Sequence, residues 1–251
     1  MVECKNITVT LGRNTIVDNV SFNVNEGEIC VILGQNGSGK TTLLRALNHN
    51  VPYTGEVKVN GQDIKNLTLK QRAFIMASMP QILPQPPVTV ERLVSFGRQP
   101  FTGMSGILSA KDKEIVEKVL AENDLKNLAH KRIDKISGGE RRKAFFAMML
   151  CQGAKVLLAD EPTANLDVQY TKHILNAFAK QKEKNNTIIT VLHDINQALE
   201  IADRIIVMQK GRNVFDGTPL QACDENIPLK YFNMEKLKCT DKDGKEFFMY
   251  R

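Results

Sequence analysis

The sequence predicts an α/β fold, a mainly parallel sheet with an antiparallel β subdomain and an inserted α-helical subdomain. Three observations carry this expectation. An apolar strand, Glu28-Ile-Cys-Val-Ile-Leu33, runs into a glycine-rich turn and then a helical stretch from Lys40 to about Asn48, the strand–loop–helix unit of parallel sheets. Late in the chain, strands at Val156 to Ala159 and Thr187 to Leu192 flank a helix at about Val168 to Lys184. Between these units, from about 85 to 152, the pattern is mostly helical.

The other elements follow in order. Residues 2–33 read as strands, on β-branched runs such as Ile7-Thr-Val-Thr10. Gly55 to Val59 reads as a strand entering a hairpin turn at Asn60-Gly61. Five prolines between Pro80 and Phe101 mark a junction rather than a long element. Ser109, with Asp112 three residues on, reads as an N-cap, and Ile115, Val116, Val119 and Leu120 stripe the helix it starts. Arg204 to Gln209 and Asn213 to Phe215, split by Lys210-Gly211, read as a closing hairpin.

Composition narrows the classes. A chain of 251 residues allows one or two compact units, and 42% hydrophobic with 25% charged residues excludes disordered and fibrous proteins. No apolar run approaches the ~18 residues that span a bilayer, and the N-terminus, Met-Val-Glu-Cys-Lys, has no apolar signal core. Cys4, Cys30, Cys151, Cys223 and Cys239 are odd in number and form no C-x-x-C pair, which argues for reduced cytosolic thiols rather than disulfides or zinc. The net charge of +6 leaves nucleic acid, a membrane surface and phosphorylated ligands open. Much of it lies between Lys126 and Lys143, with seven basic residues against Asp134 and Glu140.

Gly34-Gln-Asn36-Gly37-Ser38-Gly39-Lys40-Thr41 fits G-x-x-x-x-G-K-[ST], a phosphate-binding loop. Its glycines let the backbone curl until several N–H groups point into one concavity, and the following helix turns its positive end to the same spot. Lys40 reaches the terminal phosphates, the Thr41 hydroxyl is suited to Mg²⁺, and Thr42 completes the nucleotide-binding set. Chance produces this pattern in a chain of this length roughly one time in a hundred.

Val156-Leu-Leu-Ala-Asp160-Glu161 places two carboxylates at the C-terminal end of an apolar strand, where α/β sheets bind ligands. Asp160 suits the metal, directly or through water, and Glu161 suits a general base on the attacking water. Ile136-Ser137-Gly138-Gly139-Glu140 sets a cap residue beside two glycines that permit close approach of a phosphate, a second anion site distinct from the first.

The order of phosphate loop, Ser-Gly-Gly-Glu and Asp-Glu resembles the ATP-binding cassette (ABC) ATPases over essentially the whole chain. The resemblance implies a P-loop NTPase core over about 1–84 and 153–220 and a helical subdomain over about 85–152 that carries the signature. A short C-terminal extension would span 221–251. It further implies that two copies sandwich two ATP molecules, so that Ser137, Gly138, Gly139 and Glu140 of one subunit face the nucleotide on the other's phosphate loop. Gln81, in Ser78-Met-Pro-Gln81, resembles the loop glutamine that contacts Mg²⁺. Asp167, in Ala164-Asn-Leu-Asp167, resembles the loop touching the opposite site, and His193 the switch histidine at the γ-phosphate. His49, His130 and His173 have no such support and read as surface or core residues. Three positions depart from the family pattern: Leu11 stands where an aromatic usually stacks on adenine, Gln35 replaces a frequent proline, and Glu140 replaces a frequent glutamine.

The segments Val88 to Phe101 and Val191 to Ala198 resemble cassettes of iron–siderophore, haem and vitamin B12 importers. By that resemblance the chain is an ATP-hydrolysing subunit, with ATP and Mg²⁺, peripheral on the inner face of the membrane. It would dimerise on ATP, drive a polytopic permease that presses on the groove near Gln81, and serve an extracytoplasmic substrate-binding protein indirectly. The rival is a non-transport ABC ATPase. The stretch from Lys40 to Ser137 is too short for the coiled coil of repair types, and translation types carry two cassettes, but a cofactor-assembly cassette remains open. A second rival, a P-loop kinase or GTPase, is opposed by the absence of Asn-Lys-x-Asp and by Ser-Gly-Gly-Glu, which a kinase would not explain. No stacking aromatics interleave with the basic window, which argues against nucleic acid as a partner.

Overall fold

In the computed structural model, which describes residues 1–102, 106–240 and 246–251, the chain begins with two long antiparallel strands, β1 (Val2–Leu11) and β2 (Asn14–Val24). Their inward side chains alternate: Ile7 and Val9 on β1, and Val20, Phe22 and Val24 on β2, are buried. The apolar run then forms β3 (Ile29–Gly34), buried at every residue, followed by the phosphate loop and α1 (Lys40–Leu47). β4 (Thr54–Val59) and β5 (Gln62–Asp63) make the hairpin expected at Asn60-Gly61. Two elements not foreseen follow, α2 (Leu69–Ile75) with a Thr68–Gln71 capping box, and the short strand β6 (Met76–Met79).

The prolines at 84, 86 and 87 hold the chain out of helix until Thr89 caps α3 (Val90–Ser95). A 3-10 turn covers Phe96–Phe101. Ser109 and Asp112 form the foreseen cap of α4 (Ala110–Glu122), and Ser137, the expected cap residue, starts α5 (Gly138–Gln152), where Glu140 closes a capping box that was not foreseen. Residues 103–105, within the stretch expected to be mostly helical, and 241–245, in the C-terminal extension, lie outside the described residues.

The second half runs β7 (Val156–Asp160), α6 (Val168–Glu183), β8 (Thr187–Val191), α7 (Ile195–Ile201), β9 (Arg204–Gln209) and β10 (Arg212–Gly217). The C-terminal stretch adds α8 (Pro219–Asp224), α9 (Ile227–Phe232) and a hairpin of β11 (Lys236–Thr240) with β12 (Glu246–Tyr250), none of which was foreseen.

The strands form a six-stranded sheet in the order β10-β9-β3-β8-β7-β6, parallel throughout except for the β9–β10 pair. A separate four-stranded antiparallel sheet has the order β2-β1-β4-β5. Period-two alternation divides the parallel strands between two cores. Ile29, Val31, Leu33, Leu157, Ile205 and Val207 pack with α3, α4, α5 and α6, whereas Cys30, Ile32, Leu158, Ile206 and Met208 pack with α1 and the antiparallel sheet. Both faces are covered, and the polar chemistry is left to the strand ends.

The helical segment is fastened by a buried ion pair. The Arg98 Nε donates to Asp112 Oδ1 at 2.9 Å, and Nη1 donates to the carbonyl of Cys151 at 3.0 Å. One guanidinium therefore joins the start of α4 to the end of α5. All five cysteines are free thiols. Among the described residues no helix is long and apolar enough to cross a membrane.

Candidate functional site

β3, β6, β7 and β8 all end on the same edge of the parallel sheet, and each delivers one part of the site there. The phosphate loop follows β3, Gln81 lies two residues past β6, Asp160 and Glu161 close β7, and His193 lies two residues past β8. This is the C-terminal edge, where α/β sheets place their ligands because the loops diverge there. An open cavity of about 560 Å³ is lined by Ile16, Asn36 through Thr42, Gln81, Glu161 and His193. Asp160 borders the adjoining groove with Thr41, Ser78, Gln81 and Ile82.

The loop glycines are sterically required. Gly34 has φ +150°, and a Cβ there would stand 2.3 Å from the Met208 carbonyl oxygen; at Gly39 (φ +100°) it would stand 2.7 Å from that of Ile16. The loop is thereby pressed against β9 and β2, at positions that have no room for a Cβ. α1 starts at Gly39 with no side-chain cap, so its first N–H groups are left to the cradle.

Lys40 is buried and its Nζ donates to the carbonyls of Gly34 (2.7 Å) and Gln35 (3.0 Å). Burial pulls its ammonium below the ordinary lysine value, while Glu161 and Asp160 support the charge. The Asp160 carboxyl is pushed up by burial and by Glu161, and drawn down by the Thr41 hydroxyl and Lys40. Its Oδ1 and the hydroxyl oxygen of Ser38 are buried without a hydrogen-bond partner. An acidic oxygen of this kind beside a threonine hydroxyl and a glutamine is a hard-oxygen set that fits Mg²⁺.

Glu161 takes a left-handed backbone conformation, φ +51°. Its Oε1 lies 2.6 Å from Nε2 of His193, whose side chain is about half exposed. Asp194 caps α7 by accepting from the amides of Asn196 and Gln197, which fixes the start of the helix directly after His193.

The second group of predicted residues lies apart from this cavity. Ser137 and Gly138 are exposed at the start of α5. Here the Ser137 Oγ accepts from the Glu140 amide, while Glu140 Oε2 accepts from the Ser137 amide and hydroxyl, both at 2.8 Å. These bonds hold the Glu140 carboxyl below the usual carboxylate range, so the departure at Glu140 makes a complete capping box. Asp167 is exposed and caps α6 through the Tyr170 amide at 2.7 Å. The two stations are neighbours: a Cβ on Gly139 would touch Leu166 at 3.7 Å.

The other departures also find structural settings. Gln35 donates through Nε2 to the Tyr231 carbonyl at 3.2 Å, tying the phosphate loop to α9. Leu11 ends β1 and is exposed. Within the basic window, Lys126, Lys131 and Lys135 are exposed, but Arg132 pairs with Asp134 and Arg142 is buried. The sequence reading missed two residues at the site. Ile16 lines the cavity from β2, well before the phosphate loop in the chain, and Arg142 of α5 bonds the carbonyl of Glu161, which lines it. Neither carries a local signal, since an aliphatic in a strand and an arginine in a basic run are both ordinary.

Comparison with known proteins accords with this geometry. A family model described as ABC transporter matches residues 17–164. The chain is 36% identical over 244 residues to the petrobactin import ATP-binding protein FpuD of Bacillus anthracis, covering 96% of this chain and 89% of that one. It is 34% identical over 234 residues to the iron(3+)-hydroxamate import ATP-binding protein FhuC of Bacillus subtilis (strain 168), covering 92% and 87%. A solved dimeric structure of a post-hydrolysis state of the ATP-binding cassette MJ0796, bound to ADP and Pi, superposes with a TM-score of 0.78 at 27% identity, over 87% of this chain and 99% of that chain. With its phosphate loop, paired carboxylates and separate Ser-Gly-Gly-Glu helix start on this fold, the chain belongs to the ABC transporter family.

Proposed function

We propose that the chain is the ATP-hydrolysing subunit of an importer for a metal chelate of the iron–siderophore class. The observation that carries the reading is the convergence of the phosphate loop, Gln81, Asp160, Glu161 and His193 on one strand edge. The import reading draws support from the relatives, which are named for petrobactin and iron–hydroxamate import. These relatives favour import over the rival cofactor-assembly cassette.

The N–H groups of the loop and of the uncapped start of α1 bind the phosphates, and Lys40 exchanges its two carbonyl partners for the terminal phosphate. Thr41, Asp160 and Gln81 would hold Mg²⁺, which when bound supplies positive charge to the phosphate oxygens. Glu161 takes a proton from the attacking water as its oxygen bonds to the γ-phosphorus and the bond to ADP breaks. His193 orients the Glu161 carboxylate through their 2.6 Å contact. Ser137, Gly138, Gly139 and Glu140, with Asp167, complete the opposite site of a homodimer. Closure then depends on contacts that ATP makes and ADP does not.

The partners are a polytopic permease, seated on the groove of about 310 Å³ between Asn48, Ser78, Gln81 and Ile82, and indirectly an extracytoplasmic binding protein. The position is peripheral, on the inner face of the membrane. The test is affinity purification from native membranes together with an ATPase assay. Recovery of a permease with ATP hydrolysis is expected, and soluble partners alone would turn the reading toward cofactor assembly.

A further inference from the structure

Arg142 lies on α5 two residues past Glu140, in the basic window, yet only 9% of it is exposed. Its donors go to main-chain oxygens. Nη1 donates to the carbonyl of Glu161 at 2.6 Å, and Nη2 lies 3.5 Å from the carbonyl of Gln81, at the outer limit of hydrogen bonding. Burial lowers the affinity of this guanidinium for its proton, opposed by the nearby carboxylates of Glu161 and Asp160. A buried charge of this kind is a poor source of net stability.

Glu161 is a residue that needs holding. Its left-handed backbone is disfavoured for any residue with a Cβ and persists only where the surroundings over-determine it. Its N–H donates to the Val191 carbonyl at 3.1 Å, from the end of β8. Its own carbonyl accepts from Arg142 and, at 3.2 Å, from the Ala164 amide. Its carboxylate meets His193. Of these restraints only Arg142 comes from the helix that Ser137 caps.

We propose that Arg142 is a positioning residue for hydrolysis: by gripping the Glu161 carbonyl it holds the left-handed turn that aims the Glu161 carboxylate. The same guanidinium spans toward Gln81, so α5 is tied to both the β7 and the β6 ends of the site. A nucleotide that moves the Ser137 end of α5 thereby pulls on the Glu161 backbone of the same subunit. This rests on the reading of Glu161 as the base.

Arg142→Met keeps the apolar stem and removes every side-chain donor, whereas Arg142→Lys keeps a charged donor on a shorter, unforked head. In the full-length protein, Arg142→Met should lower kcat by about tenfold to hundredfold, the scale of a misplaced catalytic group. KM for ATP should stay within about twofold, because the phosphate contacts are untouched. Arg142→Lys should recover part of kcat. The ATP-bound dimer of Arg142→Met, followed by gel filtration, should outlive the wild-type dimer, as that of Glu161→Gln should; a loosened fold would shorten its life. Thermal melting checks that the variants fold, and Arg142→Gln replaces Arg142→Met in the same comparison if the latter does not. Wild-type kcat in the variant, a raised KM with unchanged kcat, or a shorter-lived dimer would overturn the proposal. A wild-type protein that hydrolyses no ATP would instead overturn the function proposed above, and this inference with it.

Discussion

α1 and α5 both begin beside glycines, and they treat their first N–H groups in opposite ways. α1 starts at the left-handed Gly39 with no side-chain cap, and nothing from its own sequence competes for the cradle. α5 starts at Ser137 inside a capping box, and the Glu140 carboxylate already takes the Ser137 amide and hydroxyl. The first terminus is an anion site open as folded. The second is a finished cap that must give up the Ser137 hydroxyl before that group can donate to a phosphate. Backbone N–H groups at a helix start favour an anion in both cases; the difference is that α5 carries its own. On the function proposed above, nucleotide would bind first on α1 and engage α5 only when a second subunit closes.

The contrast can be broken most sharply at α5. Ser137→Arg should reduce turnover at least about tenfold, by removing a charge-assisted hydrogen bond and filling the space of approach, while single-site nucleotide affinity stays at the wild-type value. A variant that hydrolyses ATP normally would show that α5 is not part of the working site. At α1 the complementary change is Lys40→Ala, which removes a charged donor worth about 1.5–3 kcal/mol. Nucleotide affinity measured by calorimetry should fall by about tenfold to a hundredfold, and an unchanged affinity would contradict the assigned phosphate contact.

Glu140→Gln sharpens the comparison. It keeps a side chain that can close the capping box but removes a carboxylate from the face offered to the partner's nucleotide. The ATP-dependent dimer should tighten by about twofold to fivefold, the effect of about 0.3–1 kcal/mol for one charge at a helix start. Weaker dimerisation would mean that the carboxylate itself is needed. The smallest effect is on stability. Because the folded Glu140 carboxyl is held below its ordinary value by Ser137, its contribution is full above the unfolded glutamate pKa of about 4.3 and is lost as pH falls through the depressed value. The melting temperature should therefore drop less in Glu140→Gln than in the wild type between about pH 5 and pH 3, and equal slopes would remove the cap from the account.

The legible parts of the fold were those written in neighbouring residues. Ser109 with Asp112, Ser137, Asn60-Gly61 and Lys210-Gly211 each act over a few positions, and each formed the cap or turn it indicated. The buried runs Ile29–Gly34 and Val156–Asp160 are strands because both faces are covered. By contrast, Met76–Met79 is four residues of no marked periodicity and becomes a strand only by pairing with β7, far along the chain. The β11–β12 hairpin was likewise invisible, and Tyr250 at its end is held by Asn196 of α7.

The candidate site divides along the same line. The sequence by itself determined the phosphate loop, the paired carboxylates and the helix start capped by Ser137, because glycine torsions, capping and strand burial are local properties. Tertiary structure decided what meets what: Gln81 and His193 reach one edge because β6 and β8 flank β7, and Gln35 reaches Tyr231. It also turned Arg142 from one charge in a basic run into a buried clamp on Glu161. A long side chain's partner depends on which elements pack beside it, and that packing is settled by contacts between residues distant in the chain.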